Sequence, residues 1–191
     1  MAAFPDRPDH RLDDFLCDAY HRAGRHGEAT DLAWRRFESR PDLTSYQRLA
    51  GQAKREGSWE HWRSRAVAVL RHEIEHKQRG AATPVPRWGR PVEPRGAKDL
   101  VEVLLWEGDV AGAWEEAVKA GVPHGVWMRL AAEREDDHPG DAVPIYQREV
   151  EHLIDTKTNG GYADAVKTMT RIRDLLSRAG RPGEFAAYSS D

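Results

Sequence analysis

The chain has 191 residues, 39% of them hydrophobic and 32% charged, and carries a formal net charge of −3. That length can bury roughly 70% of the unfolded surface, in one substantial core or two small ones. The charge balance argues against a general nucleic-acid binder, which needs a cationic face, and the single cysteine, Cys17, excludes an internal disulfide or a multi-cysteine zinc site within the chain.

Apolar residues recur every three or four positions along nearly the whole sequence, and no stretch alternates with period two, so helices are predicted throughout. The first segment carries Leu12, Phe15, Leu16, Ala19 and Tyr20 and stops at Gly24, a natural C-terminal cap. Gly27 and Glu28 open the second, with Ala29, Leu32, Ala33 and Phe37 on one face, and Pro41 closes it. The third runs from about Thr44 to Gly57, and Ser58 is placed to N-cap a fourth that carries Trp62, Ala66, Leu70 and Ile74 and ends near Gly80. Four prolines and two glycines then interrupt the pattern over residues 80–97.

Beyond that loop, Leu100, Val101, Leu104 and Leu105 lead to Gly108, and Ala113, Trp114 and Ala117 lead to Gly121. Val126, Leu130 and Ala131 lead to Pro139 and Gly140. The next segment carries Ile145, Tyr146 and Val150, has Pro144 in its predicted first turn, and stops at Asn159-Gly160-Gly161. Tyr162, Met169, Ile172 and Leu176 reach Gly180, and Phe185 and Tyr188 start a short last segment.

Two kinds of internal repetition appear. The phrase Arg-Ala-Gly-Arg-x-Gly-Glu occurs at residues 22–28 and again at 178–184, each time at a predicted helix–turn–helix corner. A shift of 81 residues lays Gly27-Glu28 on Gly108-Asp109, Tyr46 on Trp127, and Arg48-Leu49-Ala50 on Arg129-Leu130-Ala131. The predicted fold is all-α, a stack of about nine or ten helices in hairpin repeats. It forms a single domain over residues 9–188, with halves 9–79 and 98–188 joined by the proline-rich loop 80–97.

Leu16, Tyr20, Gly24, Ala29 and Pro41 stand at spacings that resemble a tetratricopeptide repeat (TPR), which implies a TPR-like α-solenoid. The strings Asp14-Phe-Leu-Cys-Asp-Ala-Tyr-His-Arg-Ala-Gly24, Leu104-Leu-Trp-Glu-Gly-Asp-Val-Ala-Gly-Ala-Trp-Glu115 and Phe185-Ala-Ala-Tyr188 resemble the helical C-terminal region of actinobacterial SWIM zinc-finger proteins. That family's Cys-x-Cys…Cys-x-His finger has no counterpart here, so the resemblance implies a helical interaction module without the finger's activity.

His72-Glu73-Ile74-Glu75-His76 matches the His-Glu-x-x-His pattern of zinc peptidases, in which two histidines one turn apart chelate zinc and the glutamate activates its water. Leu70 and Ile74 mark the apolar face of that helix, which turns His72 and His76 away from the core. Glu75 adds a charge between them, and Arg79 and Ala82 stand where a metzincin continuation needs glycine and histidine. The pattern fits a solvated helix face better than a metal centre. Trp34, Trp62, Trp114 and Trp127 sit at helical spacings beside apolar residues and are expected as inter-helix filler, and Cys17 as a small buried packing residue. The loop holds Arg87, Arg90 and Arg95 around Trp88, a basic aromatic cluster suited to an acidic peptide or a nucleic-acid strand.

The sequence therefore predicts a non-enzymatic protein-interaction module, with no catalytic residues, no metal and no cofactor. Its expected partner is another protein, bound on the concave side of the stack or at Arg87, Trp88, Arg90 and Arg95. Nucleic acid is the less favoured partner of that basic loop. No apolar run is long enough to span a bilayer and the first residues lack a secretory pattern, so the expected location is the cytoplasm. The alternative is a zinc-dependent hydrolase using His72, Glu73 and His76.

Overall fold

A computed structural model describes residues 15–17, 19–20, 22–80 and 97–189. All regular structure among the described residues is helical, without strands, as the 3.6-residue periodicity predicts. The chain divides into two compact units, Met1–Thr83 and Pro84–Asp191.

The first unit begins with helical turns within residues 15–22, followed by α1 (His26–Ser39), α2 (Leu43–Glu56) and α3 (Trp59–Gly80). Each stop has a local cause. Gly24 takes the left-handed conformation at φ 71°, and the Arg25 backbone N–H donates to the Tyr20 carbonyl at 2.8 Å, the bond that closes a Schellman corner. The same device ends α2, where Gly57 has φ 80° and the Ser58 N–H donates to the Ala53 carbonyl at 3.0 Å. Helix α2 starts with a capping box: Asp42 Oδ1 accepts from the Ser45 N–H, and Ser45 Oγ accepts from the Asp42 N–H. Ser58 stands immediately before α3 as predicted, but its hydroxyl donates to Glu56 Oε2 at 2.9 Å. Ala29, Phe37, Tyr46, Leu49, Ala53 and Ala66 are fully buried and form this unit's core. Cys17 is buried too, its Sγ 3.9 Å from the Ala29 carbonyl oxygen, so it packs as a small residue at the first hairpin.

The second unit holds α4 (Lys98–Glu107), α5 (Val110–Ala120), α6 (His124–Arg134), α7 (Pro139–Asp155), α8 (Asn159–Arg178) and α9 (Gly183–Tyr188). Gly108, at φ 82°, ends α4 with the same corner, the Asp109 N–H donating to the Leu104 carbonyl at 2.9 Å. Tyr146, Val150, Ile172, Leu175 and Leu176 build a core across α7 and α8, with Trp127, Met169 and Phe185 packed at its edge. The second copy of the repeated phrase joins α8 to α9 and reproduces the first. Gly180 has φ 73°, and the Arg181 N–H donates to the Leu176 carbonyl at 2.8 Å. Arg25 pairs with Glu28 at 2.8 Å, and Arg181 with Glu184 at 2.5 Å. The repeated residues thus encode one corner used twice.

Three sequence expectations need correction. Gly27 lies inside α1 while Gly108 terminates α4, so these two are not equivalent; Gly24 and Gly108 are. From those glycines, Ala29 matches Ala113 and Ala33 matches Ala117, all four buried. The 81-residue offset does hold for the next helices, where Leu43 starts α2 and His124 starts α6, and where the buried pairs are Leu49 with Leu130 and Ala50 with Ala131.

Pro144 lies past the first turn of α7, because the helix already starts at Pro139. Its ring removes the bond that Gly140's carbonyl would accept, a loss eased by Pro144 being exposed to water. Asn159-Gly160-Gly161 opens α8 instead of ending α7: Thr158 Oγ1 accepts from the Gly161 N–H at 3.0 Å as an N-cap. Gly161 is also required sterically, since a Cβ there would lie 2.2 Å from Thr156 Oγ1 and 2.6 Å from the Leu153 carbonyl oxygen.

Candidate functional site

The corner between α1 and α2 encloses a cavity of about 220 Å³. Arg36, Ser39 and Arg40 reach it from the end of α1, and Asp42, Thr44, Ser45 and Arg48 from the start of α2. Arg36 and Arg40 are one turn apart, and Pro41 forces the reversal that brings Arg48 to the same space. Its hydroxyls are partly engaged: Ser39 Oγ donates to the Arg36 carbonyl at 2.8 Å, and Ser45 Oγ to the Arg40 carbonyl at 2.7 Å. Asp42 uses Oδ1 for the Ser45 amide and Oδ2 for an ion pair with Arg40 Nε at 2.9 Å. Three guanidinium groups against one carboxylate make this a positively charged concavity in a chain whose overall charge is negative.

Arg87, Trp88, Arg90 and Arg95, the surface predicted from sequence, lie outside the described residues. His72 and His76 are on α3, one turn apart and exposed, with ring centroids 6.5 Å apart, while Leu70 and Ile74 are buried as expected. Glu75, between them, pairs with Arg79 at 2.8 Å. Among the described residues no group of three or more His, Cys, Asp or Glu is arranged to hold a metal ion.

The tryptophans pack between helices as expected, and each pair adds a cation that the sequence reading passed over. Trp34 and Trp62 meet across α1 and α3 at 5.1 Å, with the Arg65 guanidinium 4.3 Å from the first ring and 4.9 Å from the second. Trp114 and Trp127 meet edge to face across α5 and α6 at 5.4 Å, with the Arg134 guanidinium 4.9 Å from Trp114. Arg134 in turn donates to Asp141 Oδ2 at 2.6 Å. These arginines fix stacked rings in place.

Two polar clusters of the second unit join residues far apart in sequence. His124 Nε2 bonds to Glu149 Oε2, and the ring of His152 lies 5.7 Å from that of His124. Glu135, just after α6, accepts from Tyr146 on α7 and Arg171 on α8. Arg178 of α8 donates to the Glu135 and Asp136 carbonyls at 2.9 and 3.2 Å, and its guanidinium also pairs with the Asp136 carboxylate at 2.9 Å. The Glu135 group ties three helices together and is closed by its own partners, so its role is structural. No family model matches the chain, and comparison with curated proteins and with solved structures likewise gives no match.

Proposed function

We propose that this chain is a non-enzymatic helical-repeat module, of the TPR-like α-solenoid kind, that holds another protein. The observation that supports this most is the equivalence of the two helix series. Left-handed glycines at 24 and 108 are each followed by alanines five and nine residues on, all four buried, and Leu49-Ala50 and Leu130-Ala131 recur one helix later. Sequence conserved within a chain for stacking one hairpin on the next is the mark of repeat architectures, whose remaining surface is left for ligands. The resemblance to the helical region of actinobacterial SWIM zinc-finger proteins supports the same reading. No helix among the described residues is long and apolar enough to cross a membrane, and we place the module in the cytoplasm.

Arg36, Arg40 and Arg48 at the α1–α2 corner supply one contact surface. Arg87, Trp88, Arg90 and Arg95 supply the second on their sequence alone. Affinity capture from the native cell, joined to metal analysis of protein purified without chelator, tests the proposal. A stoichiometric protein partner and metal-free chain are expected. One tightly held zinc per chain, lost in His76→Ala together with a hydrolytic activity, would replace the module by the zinc hydrolase.

A further inference from the structure

We propose that the cavity at the α1–α2 corner binds a phosphoryl group, carried on a partner's side chain or as free phosphate. The inference rests on the interaction-module reading and names the chemistry of one contact that such a module makes. Three arginines and one aspartate line the cavity, a formal surplus of two positive charges. A phosphate monoester carries about −1.5 to −2 at neutral pH, which balances that surplus. A carboxylate or a phosphodiester carries one charge and leaves the site half compensated.

Asp42 does not quench the arginines by itself, because it caps α2 through Oδ1 and meets Arg40 through Oδ2. That same cap occupies the amide end of α2, so the field in the cavity comes from the guanidinium groups and not from the helix terminus. Planar guanidinium forks match the oxygens of a tetrahedral anion, which a flexible ammonium does not. Size points the same way. The cavity of about 220 Å³ falls below the roughly 300–1,000 Å³ of sites that enclose a cofactor or drug-sized ligand, and it admits a single oxyanion with a few waters of about 30 Å³ each. A long polyanion is disfavoured because the whole chain carries −3.

Binding of inorganic phosphate to the full chain, followed by calorimetry at ionic strength matched with chloride, tests this. Saturable binding is expected, weakened about tenfold in Arg36→Gln and again in Arg40→Gln, the loss that one charge-assisted hydrogen bond produces. Thr44→Glu should abolish binding by placing a carboxylate in the cavity. It should leave the melting temperature unchanged or higher, since an acidic residue suits the first turn of a helix. A serine peptide that binds more tightly when phosphorylated, and more tightly than phosphate itself, would show that the group arrives on a protein; equal affinity for phosphopeptide and phosphate would make the free anion the ligand.

Absence of saturable binding, or binding indifferent to Thr44→Glu, would overturn the assignment. So would an RNA oligonucleotide that needs Arg36 and Arg40 and is not displaced by phosphate. Partner capture without phosphate binding would remove the cavity assignment and keep the module. Phosphate binding without a captured partner would do the reverse.

Discussion

Arg171 on α8 grips Glu135 at the end of α6 through two near-parallel hydrogen bonds, Nε to Oε2 at 2.9 Å and Nη2 to Oε1 at 2.7 Å. The same glutamate accepts from Tyr146 Oη at 2.9 Å, and the Arg171 guanidinium lies 4.8 Å from the Tyr146 ring centroid. One carboxylate thus fixes α6, α7 and α8 against each other. Burial, and then the bond to Glu135, push the Tyr146 hydroxyl up to about 12. Replacing Glu135 by Ala should lower stability by about 1–2 kcal/mol, the value of hydrogen bonds to charged groups discounted because the Arg171 side chain is 47% exposed. Urea unfolding of the two proteins measures it, and a loss no larger than that of an exposed surface substitution would show that the fork contributes nothing.

Glu135 also sets an acid limit. Burial alone would raise its pKa, but the hydrogen bonds from Arg171 and Tyr146 outweigh it and hold the carboxyl below its ordinary value. A depressed folded-state value stabilises the protein above the unfolded value of about 4.3, and that contribution disappears as pH falls through the folded one. The stability gap between the wild type and Glu135→Gln should be complete above about pH 5 and narrow as the pH drops below about 4. Melting temperatures across that range give the answer. A gap that persists unchanged into stronger acid would contradict the assignment.

The corners predict a graded series of glycine substitutions. Around Gly24 and Gly180 a Cβ would meet open space, so Ala there suffers only from positive φ, a cost of about 1 kcal/mol each. Gly161 has no positive φ, yet its Cβ would collide with Thr156 Oγ1 and the Leu153 carbonyl. Gly161→Ala should therefore cost as much or more, about 1–3 kcal/mol as for other overpacked sites. Equal tolerance of all three substitutions in chemical denaturation would show that the α7–α8 approach relaxes freely.

Equivalent packing positions should respond alike. Ala29 and Ala113 are fully buried five residues after a left-handed glycine, whereas Ala111 is exposed on the same helix as Ala113. Leu at either buried position should cost about 1–3 kcal/mol, while Ala111→Leu should stay within about 0.5 kcal/mol. If Ala113→Leu proved as harmless as Ala111→Leu, the two helix series would not share one packing scheme.

Much of the helical frame was legible because its punctuation is local. Gly24, Gly57, Gly108 and Gly180 announce left-handed corners, and Pro41 and Asp42 announce the turn before α2, from chemistry confined to a few neighbouring residues. Asn159-Gly160-Gly161 misled for the same reason. Two glycines look like a stop, and only the approach of the chain to Thr156 and the Leu153 carbonyl makes Gly161 part of a helix start. The register of the first hairpin was displaced because Gly27 resembles Gly108 in sequence while Gly24 shares its conformation.

The cavity was harder to see. Arg36, Arg40 and Arg48 are unremarkable in an arginine-rich chain until the reversal at Pro41 gathers them, although a turn-spaced arginine pair just before a Pro-Asp corner was a signal that could have been followed. Likewise nothing local connects Arg171 to Glu135.

The measurement that bears most directly on the central proposal is reconstitution of a complex from this purified chain and the protein captured with it in the native cell. A defined complex of fixed stoichiometry is expected, with the captured protein released unchanged and no metal bound to this chain. A captured protein that is cleaved or otherwise turned over, by a chain carrying one zinc that depends on His72 and His76, would contradict the account.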